Sequence, residues 1–371
     1  MRIPLLDLQA QYASLRAPLL GAIGRVLDEQ QFILGAEVET LEKEIAAYSQ
    51  TRHAIGCASG SDALLLALQS IGVGPGDEVV TTPYSFFATA SAVARLGARP
   101  VFVDIDPDTY NMNEALVAEA ITDRTRALMP VHLFGQCAGM EILGQISKQR
   151  AIPIVEDAAQ AIGAEDQGRR AGSMGAIGCF SFYPSKNLGG AGDGGMMVTN
   201  DGEHARQLRM LRVHGEDRKY HHSLMGINSR LDAIQAAVLR VKLPYLAEWS
   251  AARRKNAVRY GELFTDAGLL EEIGVPFVRP GVGHIFNQYV IRAGAQRDAL
   301  MAHLNKNGVG SEIYYPVPLH LQECFRYLGH EEGDFPEAER AARETLALPV
   351  YPELTLAEQA YVVETVRKFY A

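Results

Sequence analysis

The sequence has little of what marks secreted, metal-binding or membrane proteins. Its 371 residues include four cysteines, which lie far apart with neither a paired metal-ligand spacing nor a disulfide framework. No stretch approaches the roughly 18 uncharged apolar residues of a membrane span, and the first residues lack the apolar core of a signal peptide. We therefore expect a reduced, cytoplasmic protein without a membrane-spanning segment.

Positive charge is also scarce. The chain carries 35 Lys and Arg against 44 Asp and Glu, a formal net charge of −9. This balance argues against nucleic acid or an anionic membrane as the main partner, although it permits a local basic pocket for a diphosphate. With 47% hydrophobic residues, the chain is large enough to bury the cores of one large and one small domain.

Strand-like apolar runs alternate with helical patterns through much of the chain. These runs are Glu78 to Thr81, Pro100 to Val103, Ala127 to Val131, Pro153 to Glu156, Gly178 to Phe182 and Gly195 to Thr199. Such alternation predicts an α/β fold with a mostly parallel central sheet and helices on both faces.

The apolar spacing after Ser229 predicts a long amphipathic helix that ends near Leu246. We place the domain boundary there, with a large domain at 1–246, including an N-terminal helical segment, and a smaller α+β domain at 247–371. For the small domain the sequence predicts a helix over 298–307, a strand near 311–314, and helices that start at Pro336 and Thr355.

The most informative stretch surrounds Lys186, which lies between an aromatic run and a glycine-rich loop. A lysine amine whose pKa is lowered by burial or by neighbouring groups attacks carbonyls, and pyridoxal phosphate enzymes hold their cofactor in this way, as a Schiff base. A solvated lysine in an ordinary turn is the alternative interpretation.

The apolar run Ile154-Val155 ends in two acids, Glu156 and Asp157. Ligands of open α/β sheets bind outside the carboxyl ends of the strands, so Asp157 is positioned to reach a bound ring. A carboxylate there would pair with a protonated pyridine nitrogen and keep the ring an electron sink. Asp157 could instead be the N-cap of a helix that follows it.

Gly60, Ser61 and Asp62 precede an apolar run with helical spacing, which predicts a loop that opens a helix. Free N–H groups and the positive end of the helix dipole attract an anion there, and the Ser61 hydroxyl adds a hydrogen bond. Ser61 could also be an ordinary N-cap. Because Lys186 and Asp157 also point to pyridoxal phosphate, the economical interpretation is that this site binds the phosphate of the cofactor. Ser181 would supply a second hydroxyl to that phosphate.

These three elements follow the order and spacing of fold-type I pyridoxal phosphate enzymes, and the chain resembles the DegT/DnrJ/EryC1/StrS family of nucleotide-sugar aminotransferases. The resemblance covers essentially the whole chain. Its most specific motifs are Gly60 to Leu64, Glu156 to Gln160, Ser181 to Gly189 and Gly226 to Asp232. It implies an aspartate aminotransferase-like fold with pyridoxal 5′-phosphate as cofactor and its pyridoxamine form in the cycle.

The resemblance also implies roles for individual residues. Lys186 and Asp157 would be catalytic. The cofactor contacts would come from Gly60, Ser61, Asp62, Phe86 stacked on the ring, Asp157, Gln160 near the ring oxygen, Ser181, Lys186, and Asn228 of a neighbouring subunit. The substrate contacts would come from Tyr183, Arg230, Tyr314, Tyr315 and His320. Other roles stay open: Phe86 could be a core aromatic, Asn228 a helix cap and Arg230 a solvated first-turn residue.

The reaction implied is transfer of an amino group from L-glutamate to a nucleotide-linked keto sugar by a homodimer. Gln160 favours a 3-keto over a 4-keto sugar, because members that act on 4-keto sugars more often have histidine there. Members that dehydrate sugars replace the lysine at position 186 with histidine. A pyridoxal phosphate enzyme of another reaction type and a non-catalytic regulator on the same fold are the alternatives. The histidines of residues 214–222 are not expected to bind metal.

Overall fold

The structure, a computed structural model, describes residues 1–371. Its strands are β1 (His53–Cys57), β2 (Glu78–Thr81), β3 (Arg99–Phe102), β4 (Thr125–Leu128), β5 (Val155–Asp157), β6 (Glu165–Asp166), β7 (Arg169–Arg170), β8 (Ile177–Ser181), β9 (Gly195–Thr199), β10 (Glu216–Arg218), β11 (His221–His222), β12 (Val282–Gly283), β13 (Tyr289–Arg292) and β14 (Thr345–Leu348). Its helices are α1 (Leu8–Glu29), α2 (Ala36–Tyr48), α3 (Gly60–Ser70), α4 (Ala88–Arg95), α5 (Glu114–Ala120), α6 (Met140–Arg150), α7 (Gly202–Leu211), α8 (Ala233–Lys242), α9 (Leu246–Asp266), α10 (Arg297–Lys306), α11 (Pro336–Glu344) and α12 (Leu356–Tyr370).

A mostly parallel central sheet organises the larger part of the molecule. Strands β3, β2 and β4 pair in parallel, and β5, β8, β9 and β1 form a second ladder. Parallel bridges from Leu128 to Ile154 and from Val131 to Asp157 join the two ladders. Only β9 runs antiparallel to its neighbours. The predicted α/β fold is therefore confirmed, and the carboxyl ends of β5 and β8 lie side by side.

The core is divided between the two faces of this sheet. One large cluster packs the apolar side of α3 against β1, β5, β8 and β9, and another packs α2 and α8 against the opposite face. All side chains of β2, β5 and β9 are buried, as expected for interior strands of a sheet that is covered on both faces. No helix of the chain has the length and apolarity to cross a membrane.

The C-terminal part is a smaller α+β arrangement. Strands β13 and β14 pair antiparallel, and their buried residues pack with those of α9, α10 and α12 in a separate cluster. Ile3 joins this cluster and bridges Val309, so the first residues of the chain lie against the smaller part. The division at residue 246 stays a prediction, and the start of α9 at that residue is consistent with it.

Two predictions of secondary structure are wrong. The helix predicted from Ser229 begins at Ala233, because the Asp232 side chain accepts a hydrogen bond from Gln235 N and serves as the N-cap. Neither Asn228 nor Arg230 is therefore a cap or a first-turn residue. The strand predicted near 311–314 is reduced to one bridge between Glu312 and Ala347.

Candidate active site

Asp157 is the last residue of β5 and is buried. Its Oδ2 accepts a hydrogen bond from Thr89 Oγ1 at 2.7 Å, and its Oδ1 accepts one from Ala159 N at 3.2 Å. No helix starts after it, so the alternative role as a helix cap is wrong. Burial raises the pKa of Asp157, while the bonds from Thr89 and Ala159 and the charge of Lys186 oppose that rise.

Lys186 lies in the loop between β8 and β9 and is half-buried. The loop turns back on itself, since Lys186 N donates to Tyr183 O at 2.8 Å and Gly190 N donates to Phe182 O at 2.8 Å. Burial lowers the pKa of Lys186 to about 8, against the opposing charge of Asp157. The amine is therefore closer to its nucleophilic form than that of an exposed lysine.

The start of α3 forms the anion-binding corner of the site. Ser59, not Ser61, is the N-cap, because Ser59 Oγ accepts a hydrogen bond from Asp62 N at 3.1 Å. This leaves Ser61 on the cavity wall beside Ser181. Gly60 is required for this approach: a Cβ on Gly60 would lie 2.6 Å from Ser181 Cβ. Free N–H groups and two hydroxyls thus meet where a phosphate would bind.

Aromatic side chains form another wall. Phe86 is 56% exposed, and its ring centroid lies 6.0 Å from that of Tyr315. The neighbouring Phe87 points elsewhere and packs on Phe325 at 5.6 Å. An aromatic side chain exposed to the cavity suits stacking on a flat heteroaromatic ring better than core packing. Phe86 is therefore available for the role that the resemblance implies.

Gln160 connects Tyr315, on the cavity wall, to the backbone of Phe134 behind it. Its Oε1 accepts a hydrogen bond from Phe134 N at 2.7 Å, and its Nε2 donates to the Tyr315 hydroxyl at 3.0 Å. Because the backbone N–H can only donate, the amide has one orientation, and the Tyr315 hydroxyl accepts from it. The proton of that hydroxyl is consequently free to be donated elsewhere.

A single cavity of about 560 Å³ joins these residues. The predicted site residues that line it are Gly60, Ser61, Phe86, Asp157, Gln160, Ser181, Tyr183, Lys186, Tyr314 and Tyr315. It also includes side chains that sequence analysis missed, namely Ser85, Ser185, Asp193 and Gln288. Thr89, which does not line the cavity but donates to Asp157, was missed as well, because no local pattern in the sequence links the two residues.

Four predicted site residues do not line this cavity: Asp62, Asn228, Arg230 and His320. The Asp62 carboxylate accepts a hydrogen bond from Ser229 Oγ at 2.7 Å. His320 is buried, with Nε2 3.1 Å from Glu339 Oε1. Asn228 is exposed, and Arg230 is partly exposed, both in the segment before α8. Their roles toward cofactor or substrate stay predictions.

The donor set fits pyridoxal phosphate. A helix start with the Ser61 and Ser181 hydroxyls suits the phosphate, and Asp157 is a buried carboxylate near which a protonated ring nitrogen would be stabilised. Lys186 supplies the amine that reacts with an aldehyde, and it is the only basic residue of the cavity wall.

A sequence profile of the DegT/DnrJ/EryC1/StrS aminotransferase family matches residues 14–367. The chain belongs to this family. Its cofactor is therefore pyridoxal 5′-phosphate and its activity that of an aminotransferase, as the resemblance implied. The fold-type I assignment is confirmed at the same time.

Whole-length relatives agree with this membership. The chain is 50% identical to a protein of Geobacillus stearothermophilus named pleiotropic regulatory protein, over 100% of this chain and 99% of that one. It is 46% identical to UDP-N-acetyl-3-dehydro-alpha-D-glucosamine 3-aminotransferase of Acidithiobacillus ferrooxidans, over 99% of this chain and 97% of that one. The crystal structure of DesV of Streptomyces venezuelae with a ketimine intermediate superposes with a TM-score of 0.95 at 44% identity, over 99% of this chain and 98% of that one.

Proposed function

We propose that this aminotransferase moves the amino group of L-glutamate to the 3-keto carbon of a nucleotide-linked hexose. The observation that carries the proposal is the single cavity in which the Lys186 amine, the Asp157 carboxylate and the start of α3 face one space. The choice of a 3-keto sugar is supported by the Acidithiobacillus relative, named as a 3-aminotransferase and 46% identical over nearly the whole chain. Gln160 favours the same choice.

Each residue has a distinct task in this reaction. When bound, pyridoxal phosphate supplies an aldehyde that takes up the amino group and a ring that withdraws electrons. Lys186 Nζ, with its pKa lowered to about 8, accepts the proton from Cα of the amino donor and later returns a proton to the acceptor carbon. Asp157 would hold a proton on the ring nitrogen of the cofactor, and Ser61 and Ser181 would bind its phosphate.

The substrate side of the cavity is aromatic and polar. Tyr183, Tyr314 and Tyr315 border it, and the Tyr315 hydroxyl keeps a free proton for an oxygen of the sugar. The cofactor phosphate, a nucleotide diphosphate and a glutamate are all anionic, yet one chain contributes only one basic residue to the wall. This deficit supports a homodimer in which Asn228 and Arg230 serve a neighbouring subunit.

Spectroscopy of the purified protein tests the proposal. The holoprotein should be yellow, and L-glutamate should bleach it as the aminated cofactor forms. Glutamate-treated protein is then offered nucleotide-linked 3-keto and 4-keto sugars, and the return of colour is followed. Colour that returns only with 4-keto sugars would refute the C3 assignment. Colour that glutamate does not change would refute the proposed donor.

A regulatory function is the second candidate, because the Geobacillus relative carries a regulatory name at 50% identity. Under that alternative, amino transfer would not be required. A protein that neither binds pyridoxal phosphate nor can be reconstituted with it would favour the regulator. Sustained turnover in the wild type and its loss in Lys186→Ala would favour the enzyme.

A further inference from the structure

Two hydroxyl groups connect the cavity wall to Asp157. Thr89 Oγ1 lies 2.7 Å from Asp157 Oδ2, and Ser85 Oγ lies 2.8 Å from Thr89 Oγ1. Thr89 is fully buried at the start of α4, and Ser85 is buried with one edge on the cavity. Apart from the backbone N–H of Ala159, Thr89 is the only hydrogen-bond donor to this carboxylate in the chain.

Charge decides the direction of these bonds. An ionised carboxylate can only accept, so the single proton of the Thr89 hydroxyl is donated to Asp157. The Thr89 oxygen then has only lone pairs left for Ser85, and Ser85 must be the donor to Thr89. The hydrogen bonds are donated from Ser85 to Thr89 and from Thr89 to Asp157, and they keep this direction only while Asp157 is an anion. Such a chain polarises each of its members.

We propose that Ser85 and Thr89 are positioning residues of the aminotransferase: together they keep Asp157 ionised and aimed at the ring nitrogen of the cofactor. The proposal rests on the family's cofactor and not on the identity of the sugar. Two effects compete over the protonation of the Asp157 carboxylate. Burial disfavours the charged form, and the bond from Thr89 favours it.

Other ionisable groups near Asp157 do not replace the two hydroxyls. Lys186 approaches from the loop after β8, and His132 from the segment after β4, where its Nε2 donates to Glu156 rather than to Asp157. Cys179 on β8 and Tyr315 also lie close enough to interact with the charge of Asp157. Burial raises the pKa of both, so they remain neutral and cannot compensate that charge.

The test is the affinity of the holoprotein for pyridoxal phosphate as a function of pH, measured by cofactor release on dilution. Thr89→Val keeps the shape of the side chain and removes its hydroxyl. We expect binding on the order of ten-fold weaker near neutral pH, because a hydrogen bond to a charged group is lost. The acid side of the pH profile should also move to higher pH, because Asp157 would be protonated more easily.

Three further variants and one matched control separate positioning from a structural role. Thr89→Ser should restore the affinity for pyridoxal phosphate and the pH profile of that affinity. Ser85→Ala should change the affinity and the profile in the same direction as Thr89→Val, but by less. In the double variant, Ser85→Ala should add nothing to Thr89→Val, because Ser85 acts only through Thr89. Thr365→Val is the matched control: this buried helical hydroxyl bonds Tyr361 O, so its loss should lower stability and leave cofactor affinity unchanged.

Several results would overturn the proposal. An unchanged profile in Thr89→Val with a lowered melting temperature would reduce Thr89 to a packing residue. Additive effects of the two substitutions would mean that Ser85 does not act through Thr89. If Thr89→Val fails to fold, Ser85→Ala alone decides the test. An unchanged acid side in the pH profile of cofactor affinity of Ser85→Ala would then refute the proposal.

Discussion

Replacing Lys186 with methionine should stabilise the cofactor-free protein while abolishing amino transfer. Burial lowers the pKa of Lys186 from 10.5 to about 8. Each ten-fold change in proton affinity corresponds to about 1.36 kcal/mol, so holding the ammonium in this site costs at most about 3.4 kcal/mol at neutral pH. Because the side chain is half-buried, water screens part of that cost, and we expect a gain of roughly 2 kcal/mol.

The pH dependence carries the sharper test. In the unfolded chain Lys186 stays protonated up to about pH 10.5, whereas in the folded chain it loses its proton near pH 8. The folded state therefore binds fewer protons between these values, and wild-type stability rises with pH there. Methionine has no charge to lose. The advantage of the variant should be full below pH 8 and should shrink as the pH approaches 10.5.

Urea unfolding of the two cofactor-free proteins measures this difference. Lys148→Met is the matched control, because Lys148 is exposed near the end of α6 and its replacement should change stability little at any pH. If methionine stabilised the protein only by filling space better, the gain in stability would be the same at every pH. The change of this gain with pH therefore distinguishes the two causes. A variant no more stable than the wild type at pH 7, or a gain independent of pH, would refute the reasoning. Multiple turnover by the variant would refute the role of Lys186.

Three other substitutions test the walls of the site. Gly60→Ala puts a methyl group against Ser181, so it should cost about 1 to 3 kcal/mol of stability and weaken cofactor binding, measured by unfolding and titration. Phe86→Ala should weaken cofactor binding by about three- to ten-fold through lost stacking, whereas Phe87→Ala should not; equal losses would contradict this assignment. Glu156→Gln should lower stability by about 3 kcal/mol or more, because this buried carboxylate accepts from three backbone N–H groups and from His132; an unchanged melting temperature would contradict it.

The main features of the site could be predicted because each depends on a local pattern. A β-branched run that ends in acids predicts a strand end, and Asp157 is the end of β5. A small polar group before an apolar helical run predicts a helix start, and α3 starts at Gly60. Lys186 follows β8 in the loop that the glycines allow. Parallel strands present their carboxyl ends at one edge of a sheet, so these features were expected to meet.

The exact helix starts depend on competition between neighbouring residues. Ser59, and not the alternative Ser61, caps α3, and Asp232 caps α8, whose start was wrongly predicted at Ser229, since a helix can start at any of several polar residues in such segments. Tertiary contacts select among them. Ser229, for example, is held outside α8 by bonds to Asp62 and Ala58.

The sequence by itself determined the fold class, the family, the cofactor and the residues that react with it, because these follow from periodicity, strand ends and motifs that are contiguous in the chain. Only the tertiary structure decided which polar groups share the cavity. In the folded chain His320 lies away from the cavity and contacts Glu339. Ser85 and Thr89 lie beside Asp157, although they are 72 and 68 positions from it in the sequence. Hydrogen-bond partners across such separations are chosen by packing between elements, which local pattern does not encode.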